Sequence, residues 1–285
     1  MAEVGILYDT IRLEEKMLFK EAASADLSAK PINVKDLRLP AKAHQSNISF
    51  TSDVYLQRCV SYFRALHVAH ALESYGFRVV SSFETISVCG NKFFNTLALV
   101  RAGVPTPETV LTFSRDSAMS AISDLGYPAM LKPVMGSWGR LIAPLNEPES
   151  ASAILESREH MHPIYQVYYL QERVNRPPRD IRALVIGGQL LTAIYRYQPQ
   201  SDWRTNTARG GRAEPCPKTK ELEEISVKAA EAVKGEVVGV DCMESESGLL
   251  VHEVNHTVEF KNMVRVTGVN IALEILRYLR STIKR

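Results

Sequence analysis

Residues 237–255 read VVGVDCMESESGLLVHEVN, and two largely apolar runs in this stretch flank a short polar segment. Val, Leu and other strand formers dominate both runs, which predicts two β-strands. The polar segment is short enough for a tight turn at residues 246–247, so the strands are expected to form an antiparallel hairpin. Because successive side chains of a strand face opposite sides of a sheet, this hairpin determines which polar groups meet.

Three polar residues of the hairpin carry hard oxygen donors. Asp241 is predicted to lie opposite His252 or Glu253, and one of these registers brings Asp241, Glu253 and Asn255 to one surface. Two carboxylates and a carboxamide are ligands that Mg²⁺ accepts together with phosphate oxygens and waters. Alternation turns His252 and His256 to the other face, which argues against a histidine metal pair. A magnesium site and simple pairing of the acids with nearby arginines both stay open.

A glycine-containing turn follows a predicted strand at residues 132–140, which read KPVMGSWGR. Gly136 and Gly139 allow backbone N–H groups to approach an anion closely, and Lys132 adds a positive charge. The segment matches neither the Walker motif nor G-x-G-x-x-G. A phosphate-binding turn and an ordinary hairpin turn are both compatible with it.

The segment 173–212 contains eight arginines and no lysine. Guanidinium groups bind phosphate and carboxylate in a bidentate manner and stay charged when buried, so this composition indicates oxyanion recognition; a solvated basic face is the alternative. Arg182 and Arg196 are favoured because they lie on apolar predicted strands, and Arg209 because it lies in a glycine-rich loop. The full set is Arg173, Arg176, Arg179, Arg182, Arg196, Arg204, Arg209 and Arg212.

The predicted strand just before that segment, YYLQE, ends in Glu172. The edge of such a strand can offer backbone groups to an adenine, and its terminal carboxylate can bind a ribose hydroxyl. An ordinary strand end explains the segment equally well.

Length and composition describe a globular protein of more than one lobe. The chain has 285 residues, of which 45% are hydrophobic and 23% charged, and such a length favours two or three lobes with clefts between them. The formal net charge is only +2, from 34 basic and 32 acidic residues. This balance argues against a general binder of nucleic acid or of anionic membranes.

Cysteine spacing and hydropathy exclude further classes. The four cysteines form no C-x-x-C pair, so we expect buried free thiols rather than a zinc site or a disulfide scaffold. No apolar run approaches the length that spans a bilayer and the start does not resemble a signal peptide, which predicts a cytoplasmic protein. The cysteines are Cys59, Cys89, Cys216 and Cys242.

The order of strand and helix patterns predicts three lobes. Alternating elements predict an α/β lobe over residues 1–85. Helices and two strands around the glycine turn predict a small central lobe over residues 86–165. Residues 166–285 are predicted to hold a hairpin around Gly187 and Gly188, an amphipathic helix, the hairpin quoted first and a final helix.

Taken in their order along the chain, these candidate residues resemble the motifs of the ATP-grasp superfamily. The matching positions are Lys92, Lys132, the turn 134–140, Glu172, residues 180–182, Arg196, residues 206–211, Asp241 and residues 253–255. Longer segments resemble the RimK-like branch, and within it the LysX family, with the glutamate-selective ArgX family as a near relative. They are ILYD-x-IR-x-EE at 6–15, GSWGRL at 136–141, RDIR at 179–182, WRTNTARGG at 203–211 and EVNHTVEFKN at 253–262.

The resemblance implies an α/β ATP-grasp fold with an N-terminal preATP-grasp domain, a small central lid domain and a C-terminal domain, and with ATP held between the last two. It implies a ligase of lysine biosynthesis in which ATP phosphorylates the side-chain carboxylate of the C-terminal glutamate of a carrier protein. The amino group of 2-aminoadipate then attacks the acyl phosphate. The implied partners are ATP, two Mg²⁺ ions, 2-aminoadipate, a small acidic LysW-like carrier and further copies of the chain in a homo-oligomer.

The resemblance also assigns roles to single residues. The implied metal ligands are Asp241, Glu253 and Asn255. The implied nucleotide-binding residues are Lys92, Lys132, Gly136, Ser137, Trp138, Gly139, Arg140, Glu172, Asp180, Arg182, Arg196 and Asn206. The implied catalytic residues are Arg196, Asn206 and Arg209. The implied amino-acid substrate loop is Thr257, Val258, Glu259, Phe260, Lys261 and Asn262.

The pair Asn262-Met263 leaves the choice of amino acid open. Members that select 2-aminoadipate carry Asn followed by Ser or Thr here, and glutamate-selective relatives carry Gly-Phe. Asn262 therefore favours 2-aminoadipate, but the hydroxyl is missing at Met263, and one lost hydrogen-bonding group shifts selectivity by about 1–3 kcal/mol. Glutamate as acceptor, dual use, a RimK-type glutamate ligase and a non-catalytic nucleotide-binding subunit are the alternatives.

Overall fold

The computed structural model describes residues 2–42, 50–136, 139–199 and 212–283. Strands in these ranges form three sheets, one of five strands and two of four. The N-terminal sheet is parallel, in the order β2-β1-β3-β4, and its strands alternate with helices as the sequence predicted. Its elements are β1 (Ala2–Tyr8), α1 (Leu13–Glu21), β2 (Leu27–Asn33), β3 (Val54–Gln57), α2 (Tyr62–Ser74), β4 (Val79–Val80) and α3 (Phe83–Cys89).

The central sheet is antiparallel, in the order β5-β8-β6-β7, and two of the helices below cover one side of it. Its elements are α4 (Lys92–Arg101), β5 (Thr109–Thr112), α5 (Arg115–Leu125), β6 (Ala129–Pro133), β7 (Ala143–Leu145), α6 (Pro148–Glu159) and β8 (Tyr168–Glu172). The division of the chain at residues 85 and 165 stays a prediction. Since β8 pairs with β5 and β6, we propose that the central lobe extends to Glu172.

The C-terminal sheet is antiparallel, in the order β11-β10-β9-β12-β13. Both predicted hairpins are present, with turns at residues 187–188 and 246–247. Its elements are β9 (Arg179–Ile186), β10 (Gln189–Tyr197), β11 (Ala213–Pro215), α7 (Lys220–Ala232), β12 (Val237–Ser245), β13 (Gly248–Asn255), α8 (Lys261–Thr267) and α9 (Ile271–Thr282).

Alternation along β9 explains how this sheet serves packing and chemistry together. Ile181, Ala183 and Val185 face the core that α7 covers, as expected for every second residue of a strand. On the opposite face, Leu184 and Ile186 join the core that contains α9 and the N-terminal sheet. Residues 180 and 182 share that second face but lie beyond the apolar core, so their charged side chains remain available for a site.

The N-terminal lobe does not stand apart from the C-terminal sheet. Val4, Ile6 and Leu18 share one continuous buried cluster with Leu276 and Leu279 of α9. Burial of apolar surface in one shared core stabilises the relative placement of the two lobes. Segments of the first 85 residues therefore have fixed positions beside the C-terminal sheet.

All four cysteines are buried and free, as predicted. Among the described helices, none is both long and apolar enough to cross a membrane.

Candidate active site between the three sheets

A cavity of about 810 Å³ lies where the three sheets approach one another, and this volume is within the range of small-molecule sites. Its wall includes Arg12 and Tyr62 from the N-terminal lobe, Lys132 from β6 and Asp241 from β12. Each lobe therefore contributes side chains to one shared site.

The hairpin of β12 and β13 brings its polar residues to this cavity. Asp241 pairs with Glu253 in the register, and Gly239 pairs with Asn255. Asn255 Nδ2 lies 3.4 Å from Asp241 Oδ2, and all three polar side chains line the cavity. The register that places these residues on one surface is the one that forms.

His252 departs from the predicted alternation. The register shifts after Asp241, so that Cys242 pairs with Val251, and this bulge leaves His252 as an extra residue that lines the cavity beside Glu253. The prediction that His252 faces away is wrong because a bulge re-aims side chains locally, and His256, which was predicted to share that face, lines the cavity as well. Its Nε2 is buried without a hydrogen-bond partner among the described residues. Burial, followed by the charge of Lys132, lowers the pKa of His252 to about 3, so the imidazole is neutral near pH 7.

Four alternating charges cross β10, β9 and β12 on the cavity side of the sheet. Arg196 donates to both Asp180 oxygens at 2.7 and 2.9 Å, and Arg182 donates to both oxygens of Asp241, with the Nη2 contact at 2.7 Å. Arg196 Nη2 also lies 3.2 Å from Asp241 Oδ2. Burial opposes ionisation of Asp241, but the two guanidinium charges hold its pKa well below the usual range. The arginine pairing that the sequence left open therefore exists, and it keeps Asp241 ionised.

Gly239 provides space beside these four charged side chains. A Cβ at this position would lie 2.8 Å from Val258 Cγ2 and 3.3 Å from Arg182 Cδ. A side chain at residue 239 would displace one of these neighbours, since real Cβ contacts are rarely that short. Glycine therefore leaves room for the side chain of Arg182, which pairs with Asp241 on the neighbouring strand.

Lys92 lies opposite the hairpin at the beginning of α4. Asn91 Oδ1 accepts hydrogen bonds from the backbone N–H groups of Phe93 and Phe94 at 3.0 and 3.3 Å, which caps the helix so that it begins at Lys92. Lys92 Nζ then donates to Glu253 Oε1 at 2.9 Å and to the carbonyl of Gly136 at 3.0 Å. One ammonium group thus connects the hairpin to the glycine turn.

Asn95 attaches α4 to the edge of the C-terminal sheet. Its Nδ2 donates to the Val254 carbonyl at 2.9 Å and its Oδ1 accepts from the Val254 N–H at 3.3 Å. The β13 edge is paired by a side chain at this point, which removes an unsatisfied strand edge. Sequence reasoning missed this residue because Asn in a helix carries no distinctive signal.

Lys132 is buried in the wall formed by the central sheet. Its Nζ donates to Gln171 Oε1 and lies 6.0 Å from the centre of the Tyr169 ring. Burial lowers the pKa of Lys132 to about 8, and the positive charge of Lys92 acts in the same direction. No carboxylate forms an ion pair with Lys132 among the described residues, so an anionic ligand would compensate this charge.

In the glycine turn, the structure describes the residues up to Gly136 and from Gly139 onward. Gly136 and Gly139 have φ angles of +134° and +65°, which are values that glycine adopts readily and other residues rarely. Gly136, Gly139 and Arg140 line the cavity. Ser137 and Trp138, both predicted to bind nucleotide, lie outside the described residues.

The remaining candidates of the arginine segment separate into two groups. Arg173 and Arg176 line the cavity. Arg179 does not, because it donates to both Glu244 oxygens at 2.7 Å and stacks 3.9 Å above the Tyr195 ring. Arg212 pairs with Glu214 at 2.9 Å. The other three candidates, Arg204, Asn206 and Arg209, lie outside the described residues.

Glu172 lines the cavity at the end of β8. Its Oε1 accepts a hydrogen bond from the Glu108 N–H at 2.9 Å, and its own N–H donates to the Glu108 carbonyl at 3.0 Å. These bonds hold the strand end in place and leave Oε2 of Glu172 without a hydrogen-bond partner among the described residues.

Comparison with known proteins agrees with this architecture. A family model described as RimK-like ATP-grasp domain matches residues 89–279, and one described as LysX preATP-grasp domain matches residues 4–88. The chain belongs to the RimK-like ATP-grasp family. It is therefore an ATP-dependent carboxylate–amine ligase, and the fold and family that the sequence motifs predicted are confirmed.

Two curated relatives and one solved structure illustrate the similarity. The chain is 36% identical to the alpha-aminoadipate–LysW ligase LysX of Sulfolobus acidocaldarius, over 96% of this chain and 100% of that protein. It is 34% identical to the glutamate–LysW ligase ArgX of the same organism, over 99% of each chain. A RimK domain ATP-grasp protein of Sphaerobacter thermophilus superposes with a TM-score of 0.78 at 22% identity, over 98% of this chain and 100% of that chain.

In this RimK-like ligase, the segment predicted to contact the amino acid has some residues that line the cavity and others that lie in the core. Thr257, Glu259 and the first residues of α8, Lys261 and Asn262, line the cavity. Val258 and Phe260 belong instead to the buried core shared with the N-terminal lobe. Only part of the predicted loop therefore presents side chains to a ligand.

Met263 lies in the same core and is 1% exposed, whereas Asn262 lines the cavity. The side chain of residue 263 therefore packs rather than faces the site.

Charged residues of the N-terminal lobe hold this loop, a role that sequence reasoning did not assign. Glu14 Oε1 accepts the Lys261 N–H at 3.1 Å, and Arg58 Nη1 donates to the Val258 carbonyl at 3.1 Å. Arg58 Nε in turn donates to Glu15 Oε1 at 3.0 Å. The sequence signal that could have revealed the network is the E-E pair close to Arg12 at residues 11–15, because adjacent carboxylates beside an arginine can form ion pairs.

The hairpin residues are suited to bind a magnesium ion to which the protein supplies only part of the six ligands. Asp241, Glu253 and Asn255 offer carboxylate and amide oxygens to the cavity. No group of three His, Cys, Asp or Glu side chains gathers as a metal centre in the described part of the chain. A site with two carboxylates therefore needs phosphate oxygens and waters to complete six ligands, which is how Mg²⁺ is usually bound with nucleotides.

Proposed function

We propose that this ligase joins the amino group of an acidic amino acid, 2-aminoadipate in the first place, to the side-chain carboxylate of a carrier protein's C-terminal glutamate. The observation that carries this proposal is the shared cavity, in which the Asp241 hairpin faces Lys92 and the glycine turn. Relatives that match nearly the full length of the chain are named LysW ligases. Their names support a carrier protein and an amino acid as the two substrates.

In the proposed reaction, a carboxylate oxygen of the carrier attacks the γ-phosphorus of ATP, which forms an acyl phosphate and releases ADP. The amino group, after losing a proton, attacks the acyl carbon and releases inorganic phosphate as the amide forms. Such phosphoryl transfer depends chiefly on positioning and on charge neutralisation. A protein nucleophile is not required, and the side chains of the cavity act by binding the substrates and neutralising their charge.

We assign the metal-ligand role to Asp241, Glu253 and Asn255. Bound there, Mg²⁺ would neutralise phosphate charge during the transfer. Lys92 and Lys132 are proposed to bind the phosphates from the opposite side, and Arg182 keeps Asp241 oriented. The remaining proposed nucleotide contacts come from the glycine turn with Arg140, from Glu172 and from Asp180.

Arg196 is proposed as the catalytic cation for the transferring phosphoryl group. Asp180 and Asp241 hold its guanidinium in a fixed orientation, and prearranged charge is an effective way to stabilise a transition state. The roles of Asn206 and Arg209 in the same step are proposals from the family resemblance.

Glutamate as the acceptor amino acid is the second candidate. Asn262 lines the cavity and supports 2-aminoadipate, but Met263 lies in the core, so the absent hydroxyl at residue 263 does not amount to a lost direct contact in this chain. Residues on the rest of the cavity wall then contribute to the choice. Homo-oligomer formation, cytoplasmic location and the absence of a nucleic-acid partner stay predictions.

The test is phosphate release from ATP with the purified chain, measured against a panel of amino acids with and without an acidic LysW-like carrier. We expect release only when both ATP and the carrier are present together with 2-aminoadipate or glutamate, and mass spectrometry of the carrier identifies the amino acid added. Release with free glutamate or a small peptide as the sole acceptor would instead support a RimK-type glutamate ligase.

Binding of the carrier is expected to weaken with salt. Arg173 and Arg176 line the cavity without an ion-pair partner among the described residues, and an acidic tail would approach them through a screened attraction. From 50 to 500 mM NaCl we expect the Kd for the carrier to rise by about tenfold or more. The measurement is titration calorimetry at several ionic strengths.

Arg173→Ser should reduce that salt dependence, while Arg101→Ser, which removes an exposed arginine that does not line the cavity, should leave it unchanged. A Kd for the carrier that stays constant from low to high ionic strength would refute electrostatic docking.

ATP affinity is expected to depend on pH through Lys132. Its pKa is lowered to about 8, so the ammonium loses its charge as the pH rises from 7 to 9, and a phosphate then loses a cationic partner. Above the pKa, affinity should fall by up to about tenfold per pH unit, because binding requires uptake of one proton. The measurement is the Kd for ATP between pH 6.5 and 9.5.

In Lys132→Met the affinity for ATP at pH 7 should be lower than in the wild-type protein. The decrease of this affinity between pH 7 and 9 that we assign to Lys132 should disappear. A pH dependence identical in both proteins would show that Lys132 does not carry it.

A further inference from the structure

Arg12 lies in the loop between β1 and α1 and lines the cavity beside the amino-acid loop. Its side chain is 17% exposed, and most of its donors are already used. Nε donates to Glu15 Oε2 at 3.0 Å, and Nη2 donates to Glu15 Oε1 at 2.7 Å and to the Arg58 carbonyl at 3.1 Å. The guanidinium is therefore fixed in one orientation.

The third nitrogen of this guanidinium, Nη1, makes no hydrogen bond among the described residues. Glu259 Oε1 lies 3.9 Å from Nη1, which is too long for a hydrogen bond. Glu259 also lines the cavity, and its carboxylate forms no other ion pair among the described residues. A fixed, incompletely satisfied donor thus lies beside a carboxylate at the same wall of the site.

The positive and negative side chains around Arg12 are equal in number, so they would not repel a ligand that carries both charges. The positive side chains of this cluster are Arg12, Arg58 and Lys261, and the negative ones are Glu14, Glu15 and Glu259. An amino acid with a carboxylate and an ammonium group matches a wall that presents Arg12 Nη1 and the Glu259 carboxylate side by side. A guanidinium edge is suited to bind a carboxylate with good geometry.

We propose that Arg12 binds a carboxylate of the acceptor amino acid and so helps to select acidic amino acids. This inference rests on the proposed function and adds a residue of the N-terminal lobe to the substrate site. The carboxylate is either the α-carboxylate or that of the side chain, and both present the same chemistry to Arg12.

The experiment measures binding of L-2-aminoadipate and L-glutamate to the full-length protein saturated with Mg-ADP, by titration calorimetry. Two glutamate amides distinguish the carboxylates: L-glutamine lacks the side-chain carboxylate, and L-isoglutamine lacks the α-carboxylate. Wild-type protein should bind one of these amides about 30-fold or more weakly than glutamate, because a charged hydrogen-bonded pair is lost.

Arg12→Met keeps the aliphatic part of the side chain and leaves Glu15 paired with Arg58. We expect its affinity for glutamate to fall by about 10- to 100-fold, and its preference for glutamate over that amide to shrink to within about threefold. The ratio of the two affinities does not depend on the fraction of folded protein. Arg64→Met is the matched control, since Arg64 pairs with Asp9 in the same lobe and does not line the cavity.

The outcomes separate the two proposals. Unchanged glutamate affinity and an unchanged amide ratio in Arg12→Met overturn the inference, as does an equal loss of affinity for ADP and for the amino acid, which indicates a structural role. If wild-type protein binds neither amino acid and no phosphate is released with any carrier, the proposed function itself fails.

Discussion

Replacement of Glu253 by Gln is expected to lower kcat for ATP-dependent amide formation by at least about 100-fold, since even partners outside a metal's coordination shell are worth about 10- to 100-fold. Glu253 is one of two carboxylates in the proposed metal site and lies in register with Asp241. Its replacement removes a charge that Mg²⁺ needs and also the ion pair with Lys92. Glu253→Ala should abolish turnover.

The measurement is coupled ADP release at saturating ATP, carrier and amino acid, repeated over a range of Mg²⁺ concentrations. If the residue binds metal, part of the loss in Glu253→Gln should be recovered at high Mg²⁺. Glu224→Gln serves as the control, because Glu224 lies on α7 with 67% of its side chain exposed and pairs with Lys220 on the same helix. Turnover of Glu253→Ala at the wild-type rate would end the metal assignment.

Replacement of Arg58 by Met is expected to lower the free energy of unfolding by about 3 kcal/mol, the lower end of the range for breaking a buried ion pair. Arg58 is 2% exposed and Glu15 is 0% exposed, so in the variant Arg12 is the one ion-pair partner that this buried carboxylate keeps among the described residues. The Val258 carbonyl also loses its donor. Urea denaturation followed by circular dichroism measures the change.

Arg277→Met provides the comparison, because Arg277 forms an exposed pair with Glu274 on α9, and such pairs are worth less than about 1 kcal/mol. If Arg58→Met is no less stable than Arg277→Met, the buried network does not support the fold. In a folded Arg58→Met protein, the KM for the amino acid should rise more than the KM for ATP, since Arg58 contacts the loop at Val258 and not the glycine turn.

Particular elements show where sequence reasoning succeeds. Repeating apolar patterns predicted the two C-terminal hairpins and the alternating N-terminal lobe, because side-chain periodicity is a local property. The short helices α3 and α8 and the short strands β5 and β11 were not predicted, since elements of three to seven residues contain few periods and give only a weak periodic signal. Helix α6 was not predicted either.

In the candidate site, too, the sequence predicted the positions of some side chains and not of others. The family resemblance predicted that Lys92, Lys132, Asp241, Glu253 and Asn255 belong to one site, and all five line the cavity. From the residues alone, Arg182 was favoured over Arg179, and the structure places Arg182 at the cavity and Arg179 against Tyr195, on the opposite face of the same strand. Sequence reasoning could not show that Val258, Phe260 and Met263 face the core.

What the sequence by itself determined is the family, the order of the lobes and the chemical types of the site residues, since these depend on motifs and on local periodicity. Only the tertiary structure decided that a bulge turns His252 into the cavity, that Asp241 is shared by two arginines and that Glu14 and Arg58 hold the amino-acid loop. These contacts join segments separated by up to 247 positions along the chain. Their geometry follows from the strand register and from the core shared by the N- and C-terminal lobes. Both features depend on residues far apart in the chain, so no local stretch of sequence specifies them.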